Sequence, residues 1–292
     1  MRHAVTMRFG LMSLAGTPED VIADARLAAD AGFDVIATAD HLRHPRDPQV
    51  PGLDGWSILA AWAVTTERLR LAMLVSNLIY RHPVVLAKQV ITVDQLSGGR
   101  LDVGVGAGVY PTDHSMAGVA NWTPRERVDR LDEFVRALAA ALDGDESFDG
   151  RFYSFSNASW APGPRQQPRP PLAVGAVGPR LLRVTARHAD VWSAFGGLAL
   201  DNKAACFAAL GEQARVIDSE CEAIDREPST LRRSLLAFRP LTPWTSAGAL
   251  DEIVEFAREL RFDEVVVYKP TTDEELDVFE DAVARLPSLR AG

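Results

Sequence analysis

The stretch LRLAMLVSNLIYRHPVVLAKQVITVDQLSGGRLDVGVGAG, residues 69–108, decides the fold of this chain. Its first segment, Leu69–Val75, is almost uninterruptedly apolar, which is typical of a strand buried on both faces. Pro83 suits the first turn of a helix, and Ser97-Gly98-Gly99 ends that helix before Leu101–Val105 returns as a second strand. A strand, a helix and a strand in this order predict one turn of a parallel α/β fold.

The rest of the chain repeats this unit. Eight strands, each followed by a helical pattern, are predicted at Arg8–Met12, Phe33–Thr38, Leu69–Val75, Leu101–Val105, Leu172–Val174, Asp190–Phe195, Ser234–Phe238 and Glu264–Tyr268. Because no sustained hairpin pattern interrupts them, they favour an α/β (β/α)8 TIM barrel over an open doubly wound sheet. We expect a single barrel domain over residues 1–292.

Two connections are longer than a barrel needs. The one after the fourth strand, residues 109–121, is long enough to lie over a pocket. The excursion before the fifth strand, Gly150–Pro171, is rich in proline and aromatic residues. It has two interpretations, a cover for the barrel mouth or a surface loop packed on its own aromatic side chains.

Composition excludes several classes of protein. The 292 residues carry a formal charge of −9, which argues against nucleic acid as a partner. No apolar run approaches the ~20 residues of a membrane span, and the N-terminus lacks the apolar core of a signal peptide, so we expect a soluble cytoplasmic protein. Cys206 and Cys221 are too few for a disulfide framework, and the histidines show no ligand spacing, so no metal is expected.

Barrel enzymes place their chemistry at the carboxyl ends of the strands. That rule selects, among others, Asp40 and His41, Ser76 and Asn77, Gly106–Val109, and Gly175–Gly178. The two glycine turns leave backbone amides open, and the second opens a helix whose amino end favours an anion, so we expect a small molecule bearing phosphate. Glycines used only for turning remain an alternative, whereas the dinucleotide fingerprint lacks its ribose-binding acid at the expected interval.

His41 is the candidate for acid–base chemistry. An imidazole at a strand end can donate or accept a proton at neutral pH. A lone histidine is more often structural, and that alternative stays open. His82, within Arg81-His82-Pro83, is expected to fix the start of the third helix.

Residues 81–108, RHPVVLAKQVITVDQLSGGRLDVGVGAG, resemble the signature of the bacterial-luciferase-like flavin and deazaflavin oxidoreductases, a superfamily that includes monooxygenases. The agreement extends over nearly the whole chain through Ala39-Asp40-His41, Gly175-Ala176-Val177-Gly178-Pro179 and Ala189-Asp190-Val191-Trp192. These pieces, in order and at suitable intervals, are specific for the family and not for the substrate.

The resemblance implies a flavin-type ring bound at the mouth of the barrel, with His41 as the catalytic residue. It implies three groups of coenzyme contacts: Leu74, Val75, Ser76 and Asn77 against the ring; Asp40 and His41 at its polar edge; and Gly106, Ala107, Gly108, Val109, Gly175, Ala176, Val177 and Gly178 around the ribityl and phosphate groups. In the deazaflavin-using branch the ring-contacting segment forms a bulge, often with a non-proline cis peptide bond. Base rates favour a trans bond here.

We favour the 8-hydroxy-5-deazaflavin coenzyme F420 over FMN, because the chain length and the RHP…LSGGRL…GVGAG form resemble the deazaflavin branch more closely. The implied activity is hydride transfer between that coenzyme and an organic substrate. Two alternatives stay open. One is an FMN-dependent monooxygenase that uses reduced flavin and oxygen, and the other is a flavin-binding protein without turnover.

The sequence also departs from one branch of the family. Arg43, His44 and Pro45 stand where the sugar-phosphate dehydrogenases carry a tryptophan, and Val109 stands where they carry a glutamate. The acid expected to assist hydride abstraction from a sugar alcohol is therefore missing. A sugar phosphate is not the expected substrate.

Aromatic residues near predicted loops indicate an apolar or ring-containing substrate. Those expected to line its pocket are Tyr110, Trp160, Phe195 and Trp244. The resemblance also implies a homodimer, because the family commonly pairs through barrel helices. Trp56 and Trp62 on the second helix are candidates for that interface, with core packing as the alternative.

Overall fold

Eight parallel strands close into a barrel in the computed structural model, which describes residues 6–44, 47–197, 202–238, 240–241 and 243–291. The strands are β1 (Arg8–Met12), β2 (Val35–Thr38), β3 (Arg70–Asn77), β4 (Leu101–Gly106), β7 (Leu172–Gly175), β8 (Val191–Ala194), β9 (Arg232–Ala237) and β10 (Glu264–Tyr268), and a separate hairpin is formed by β5 (Phe148–Asp149) and β6 (Ser154–Phe155). The barrel strands follow one another in chain order, and β10 pairs with β1. The predicted TIM barrel is confirmed; Pro45 lies outside the described residues.

Helices cover the outside of the barrel. They are α1 (Pro18–Asp30), α2 (Gly55–Thr65), α3 (Pro83–Ser97), α4 (Pro111–Met116), α5 (Pro124–Asp143), α6 (Pro179–His188), α7 (Lys203–Glu222), α8 (Ala249–Glu259), α9 (Asp273–Val283) and α10 (Leu286–Ala291). Several begin where the sequence supplies a cap: the Thr123 hydroxyl accepts from the Glu126 amide, and His82 Nδ1 accepts from the Val84 amide at 3.3 Å. His82 therefore fixes the start of α3, as predicted.

Strand β3 runs two residues further than the sequence predicted. Its register against β4 shifts between Met73 and Ser76, which marks a bulge, and the Leu74–Val75 peptide bond is cis. The expectation of a trans bond was therefore wrong. The polar residue Ser76 does not end the strand, because its hydroxyl accepts a hydrogen bond from Trp56 Nε1 at 2.9 Å behind the sheet.

The amino-terminal end of the barrel is filled by side chains. Arg8 pairs with Glu264 at 2.7 Å, and Arg70 pairs with Asp102 at 2.8 Å. Burial raises the pKa of Glu264, and the Arg8 guanidinium opposes that shift. An apolar layer lies above these ion pairs and consists of Met12, Val35, Ala37, Ala72, Leu74 and Val266. A ligand inside the barrel must therefore lie at its carboxyl-terminal end.

The excursion before β7 packs beside the barrel. The Glu133 carboxylate accepts hydrogen bonds from the backbone amides of Arg151, Phe152 and Tyr153 at 3.0, 2.6 and 2.7 Å. Further along, Gln166 donates to the Leu101 carbonyl, at the amino end of β4. With the Phe155 and Trp160 rings in edge contact, the surface-loop interpretation of this segment is the correct one.

Trp56 and Trp62 belong to the core. Both side chains are buried, and Trp62 Nε1 donates to the Val21 carbonyl at 2.7 Å. They are therefore not interface residues, and the alternative of core packing holds. None of the helices in the described part of the chain is both long and apolar enough to cross a membrane.

Candidate functional site

A cavity of about 640 Å³ opens at the carboxyl ends of the barrel strands. That volume lies within the usual ~300–1,000 Å³ of ligand pockets. Most of the predicted coenzyme contacts line it, namely Asp40, His41, Leu74, Val75, Asn77, Gly106, Ala107, Gly108, Val109, Gly175 and Val177. The structure therefore brings together residues from four different strand ends.

Three predicted contacts do not line the cavity. Ser76 points behind the sheet to Trp56, as its place one residue before Asn77 in an alternating strand requires. Ala176 is buried, and its carbonyl accepts from Trp192 Nε1 at 3.0 Å. Gly178 is the N-cap of α6 and has no described heavy atom within 4 Å of a Cβ placed on it. Its neighbours Val177 and Leu181 do line the cavity, so the amino end of α6 faces it.

The first glycine turn has a structural cause that the sequence did not reveal. A Cβ on Gly106 would overlap Val75 Cγ2, and one on Gly104 would lie 2.9 Å from Val75 Cγ1. Gly108 has a φ of 67°, and its Cβ would lie 2.8 Å from Asn77 Oδ1. Gly104 and Gly106 are therefore needed so that the β3 bulge can pack its Val75 side chain across β4, whereas Gly108 is needed for its positive φ and for the close approach of Ile79 and Asn77.

The Asp40 carboxylate is held firmly at the edge of the cavity. It pairs with the Arg81 guanidinium, whose Nη2 lies 3.3 Å from Oδ1. It also accepts a hydrogen bond from the backbone N–H of Asn77 at 3.0 Å. Burial raises the pKa of Asp40, and the hydrogen bond and charge of Arg81 oppose that shift. With both partners in place, Asp40 ties the end of β2 to β3.

His41 contacts a second buried acid, Asp113. Its Nδ1 lies 3.3 Å from Asp113 Oδ2, and its ring makes an edge contact with Tyr110 at 5.5 Å. The same Asp113 oxygen accepts from Asn77 Nδ2 at 3.1 Å. The His41 side chain is 27% exposed toward the cavity, whereas that of Asp113 is fully buried. Burial, and then the Asp113 carboxylate, raise the pKa of the neighbouring Tyr80 phenol.

Asp113 was not among the predicted site residues. It lies on α4, inside the long connection after β4. That connection does face the cavity, as its length predicted, through Val109, Tyr110 and Asp113. The only signal in the sequence was an acid in the first turn of a short proline-initiated helix, a pattern that also occurs on ordinary surface helices.

The far wall of the cavity carries an ion pair. Lys269, one residue beyond β10, lines the cavity, and its Nζ lies 2.9 Å from both oxygens of the buried Asp24 carboxylate. Leu236, Phe238 and Tyr268 surround this wall with apolar surface. Of the four aromatic residues expected in the substrate pocket, Tyr110 and Phe195 line the cavity.

The other two aromatic residues lie elsewhere. Trp160 packs within the excursion, and Trp244 Nε1 donates to the Tyr268 carbonyl from behind the strand. Both are nearly fully buried, so neither faces a ligand. Across the described residues, no three or more His, Cys, Asp or Glu side chains group into a candidate metal site.

Comparison with known proteins identifies the family. The sequence pattern of the luciferase-like monooxygenases matches residues 3–277, nearly the whole chain. The chain belongs to the luciferase-like monooxygenase family. An uncharacterised protein from Mycobacterium tuberculosis (strain H37Rv) is 35% identical over 188 residues, which cover 58% of this chain and 65% of that protein.

A luciferase-like relative with a named activity is the F420-dependent glucose-6-phosphate dehydrogenase of Gordonia bronchialis. It is 28% identical over 215 residues, which cover 72% of this chain and 62% of that protein. The chain thus spans a little under two thirds of the length of these two relatives.

Solved structures share the fold of this luciferase-like chain at low identity. An F420-dependent secondary alcohol dehydrogenase in complex with an F420–acetone adduct has a TM-score of 0.81 at 16% identity, covering 96% of this chain and 99% of that one. The oxygenating constituent of 3,6-diketocamphane monooxygenase from Pseudomonas putida, in complex with FMN, has a TM-score of 0.68 at 17% identity, covering 98% and 96%. At such identities the likeness concerns the fold.

Proposed function

We propose that this luciferase-like protein is an oxidoreductase that transfers a hydride between the deazaflavin coenzyme F420 and a small organic substrate. One observation carries the proposal: a single cavity joins an apolar strand bulge, an acid–base histidine and the amino end of a helix. A tricyclic ring needs a flat apolar wall, its reaction needs a proton carrier, and its phosphate needs an anion site. The cavity provides all three.

The residues present fit such a coenzyme. Leu74 and Val75 offer the ring an apolar wall, and the amino end of α6, where Val177 and Leu181 face the cavity, offers the phosphate unpaired backbone amides. The first turn of α6 contains no acidic residue that would repel an anion. The wall opposite β4 then remains for the substrate, with Leu236, Phe238 and Tyr268 as its apolar part.

When bound, the coenzyme would supply a ring carbon that exchanges a hydride. The protein must then handle the accompanying proton, because oxidation of an alcohol releases a hydride from carbon and a proton from oxygen. His41 is placed for that task, with its ring exposed to the cavity and its Nδ1 held by Asp113. Asp40 is held by Arg81 and Asn77, so we assign it a structural part at the edge of the ring site.

A second candidate is an FMN-dependent monooxygenase. It is favoured by the fold-level likeness to an FMN-bound oxygenating protein. The same bulge and the same helix end would receive the FMN ring and its phosphate. The two candidates differ in whether oxygen is consumed, which a binding and reduction experiment decides.

The test is a titration of the purified protein with F420 and, separately, with FMN, followed by reduction of the bound coenzyme with and without oxygen. We expect F420 to bind more tightly and substrate-dependent absorbance changes to be independent of oxygen. Tight FMN binding with negligible F420 binding, and oxygen consumption, would establish the second candidate instead. Coenzyme binding without any substrate-dependent change would indicate a binding protein.

A variant locates the phosphate site within the same titration. Leu181→Glu places a carboxylate in the first turn of α6, a position where glutamate is compatible with a helix. We expect at least ~10-fold weaker coenzyme binding from charge repulsion, with a melting temperature lowered only by the partial loss of Leu181 packing. Ile22→Glu, on the outer face of α1, is the matched control. Equal binding by both variants would place the phosphate elsewhere.

A further inference from the structure

A chain of hydrogen bonds leads from the backbone of β3 to His41. It begins where the Ile79 amide donates to Asn77 Oδ1 at 3.1 Å. A backbone N–H can only donate, so this contact identifies the oxygen of the Asn77 side chain. The amide nitrogen of that side chain must then point the other way.

The second contact joins the side-chain nitrogen of Asn77 to Asp113. Asn77 Nδ2 donates to Asp113 Oδ2 at 3.1 Å, and His41 Nδ1 lies 3.3 Å from the same oxygen. Asp113 Oδ2 already accepts from Asn77 Nδ2, which can only donate, so we treat this oxygen as the acceptor and place the hydrogen of the His41 contact on the imidazole. Because the Asp113 side chain is fully buried, solvent does not compete for this oxygen.

We infer that Asp113, oriented by Asn77, holds the neutral His41 ring in the tautomer that carries its proton on Nδ1. The tautomer of a histidine is set by the hydrogen bond that one ring nitrogen makes. With Nδ1 committed to Asp113, Nε2 is an acceptor for a ligand in the cavity. Asp113 is thus a positioning residue.

The consequence for catalysis rests on the proposed function, whereas the tautomer itself does not. A His41 ring with a lone pair on Nε2 could accept the hydroxyl proton of a bound alcohol, whose C–H and O–H bonds would break as its C=O bond forms. The coenzyme, when bound, would supply the hydride acceptor, and His41 would hold the proton as an imidazolium. The site would therefore select substrates that present an O–H donor to His41 when they are oxidised.

The test is a ¹H–¹⁵N correlation spectrum of the full chain labelled with ¹⁵N-histidine, recorded at a pH where the His41 ring is neutral. The signals of His41 are assigned by their loss in His41→Gln. We expect a protonated Nδ1 and an unprotonated Nε2 in the wild-type protein. A protonated Nε2 in the wild-type spectrum would overturn the inference, with or without any activity.

Two variants at position 113 separate positioning from folding. Asp113→Asn keeps an acceptor oxygen facing Asn77 Nδ2, so we expect the wild-type tautomer. Asp113→Leu removes the acceptor, and we expect His41 to populate both tautomers and turnover to fall ~100-fold. A wild-type His41 spectrum in folded Asp113→Leu would contradict the inference, and if that variant does not fold, the wild-type and Asp113→Asn spectra decide.

Discussion

Asp40 and His41 are adjacent in the sequence but have different surroundings. The Asp40 carboxylate is enclosed by the Arg81 guanidinium and the backbone N–H of Asn77. His41 touches Asp113 on one side and the cavity on the other. Of the two, only the His41 side chain is substantially exposed to the cavity, so we propose that Asp40 holds the site together and that His41 reacts.

Replacement of His41 by glutamine tests this division. Glutamine keeps hydrogen-bonding atoms but cannot carry a proton at neutral pH, so we expect kcat to fall ~10²–10⁴-fold while coenzyme affinity changes little. Steady-state kinetics and the coenzyme titration measure the two quantities. His188→Gln is the matched control, because His188 pairs with Asp132 at 3.2 Å outside the cavity. Equal activity of the two variants would remove His41 from the mechanism.

The sequence predicted His41 but not its partner, and the reason is physical. A residue directly after a buried strand must lie at the end of the barrel, whatever the rest of the chain does. Asp113 lies 72 positions from His41, on a connection whose path depends on packing against the finished barrel. Its contact with His41 depends on the tertiary structure and cannot be predicted from a local sequence pattern.

At the scale of elements, the bulge in β3 and the glycines of β4 form one unit. Gly104 and Gly106 leave the space that the Val75 side chain fills. From the sequence, Gly106 was expected to form a turn or to bind a phosphate, because a glycine pattern alone does not show which neighbouring side chain lies against the glycine. The resemblance did predict the bulge itself, at Leu74 to Asn77.

Replacement of Gly106 by alanine tests this unit. The added Cβ would overlap Val75 Cγ2, and we expect a loss of about 1–3 kcal/mol in the free energy of unfolding. Denaturant unfolding measures it. Combining Gly106→Ala with Val75→Ala should recover part of the loss, and Gly52→Ala, which meets no described atom within 4 Å, should be nearly neutral. Additive losses in the double variant would show that the two sites do not touch.

The excursion before β7 is a second element whose role can be tested. The Glu133 carboxylate accepts from three consecutive backbone amides, and its removal leaves all three without this acceptor, the Tyr153 amide in a buried position. We expect Glu133→Ala to lower the free energy of unfolding by about 3 kcal/mol and to leave coenzyme affinity unchanged. Unfolding curves and the coenzyme titration measure both. Weaker coenzyme binding in the folded variant would mean that the excursion contributes to the site after all.

At the scale of the whole molecule, the alternation of apolar strands and helices was enough to predict the barrel. Its outer surface carries further information, because Val64 on α2 and Leu96 on α3 are 65% and 48% exposed. With Trp56 and Trp62 buried, these are the apolar side chains through which we propose that α2 and α3 pair in a homodimer.

Sedimentation or light scattering tests the homodimer. We expect twice the chain mass for the wild-type protein, and monomers for the variant with Val64→Glu and Leu96→Glu, since two carboxylates would be buried against a symmetric copy. A matched variant, Val109→Glu, changes an exposed valine at the barrel mouth and should remain dimeric. A monomeric wild-type protein would refute the proposal.

The ion pairs of Arg8 with Glu264 and Arg70 with Asp102 also limit how ligands can enter and leave the barrel. They close the amino-terminal end of the barrel, so a coenzyme and a substrate bound as we propose would enter and leave through the same opening. Whichever sits deeper must arrive first and depart last. If the ring lies on the β3 bulge with the substrate above it, the coenzyme would bind before the substrate and leave after the product. Excess substrate would then slow the release of the used coenzyme.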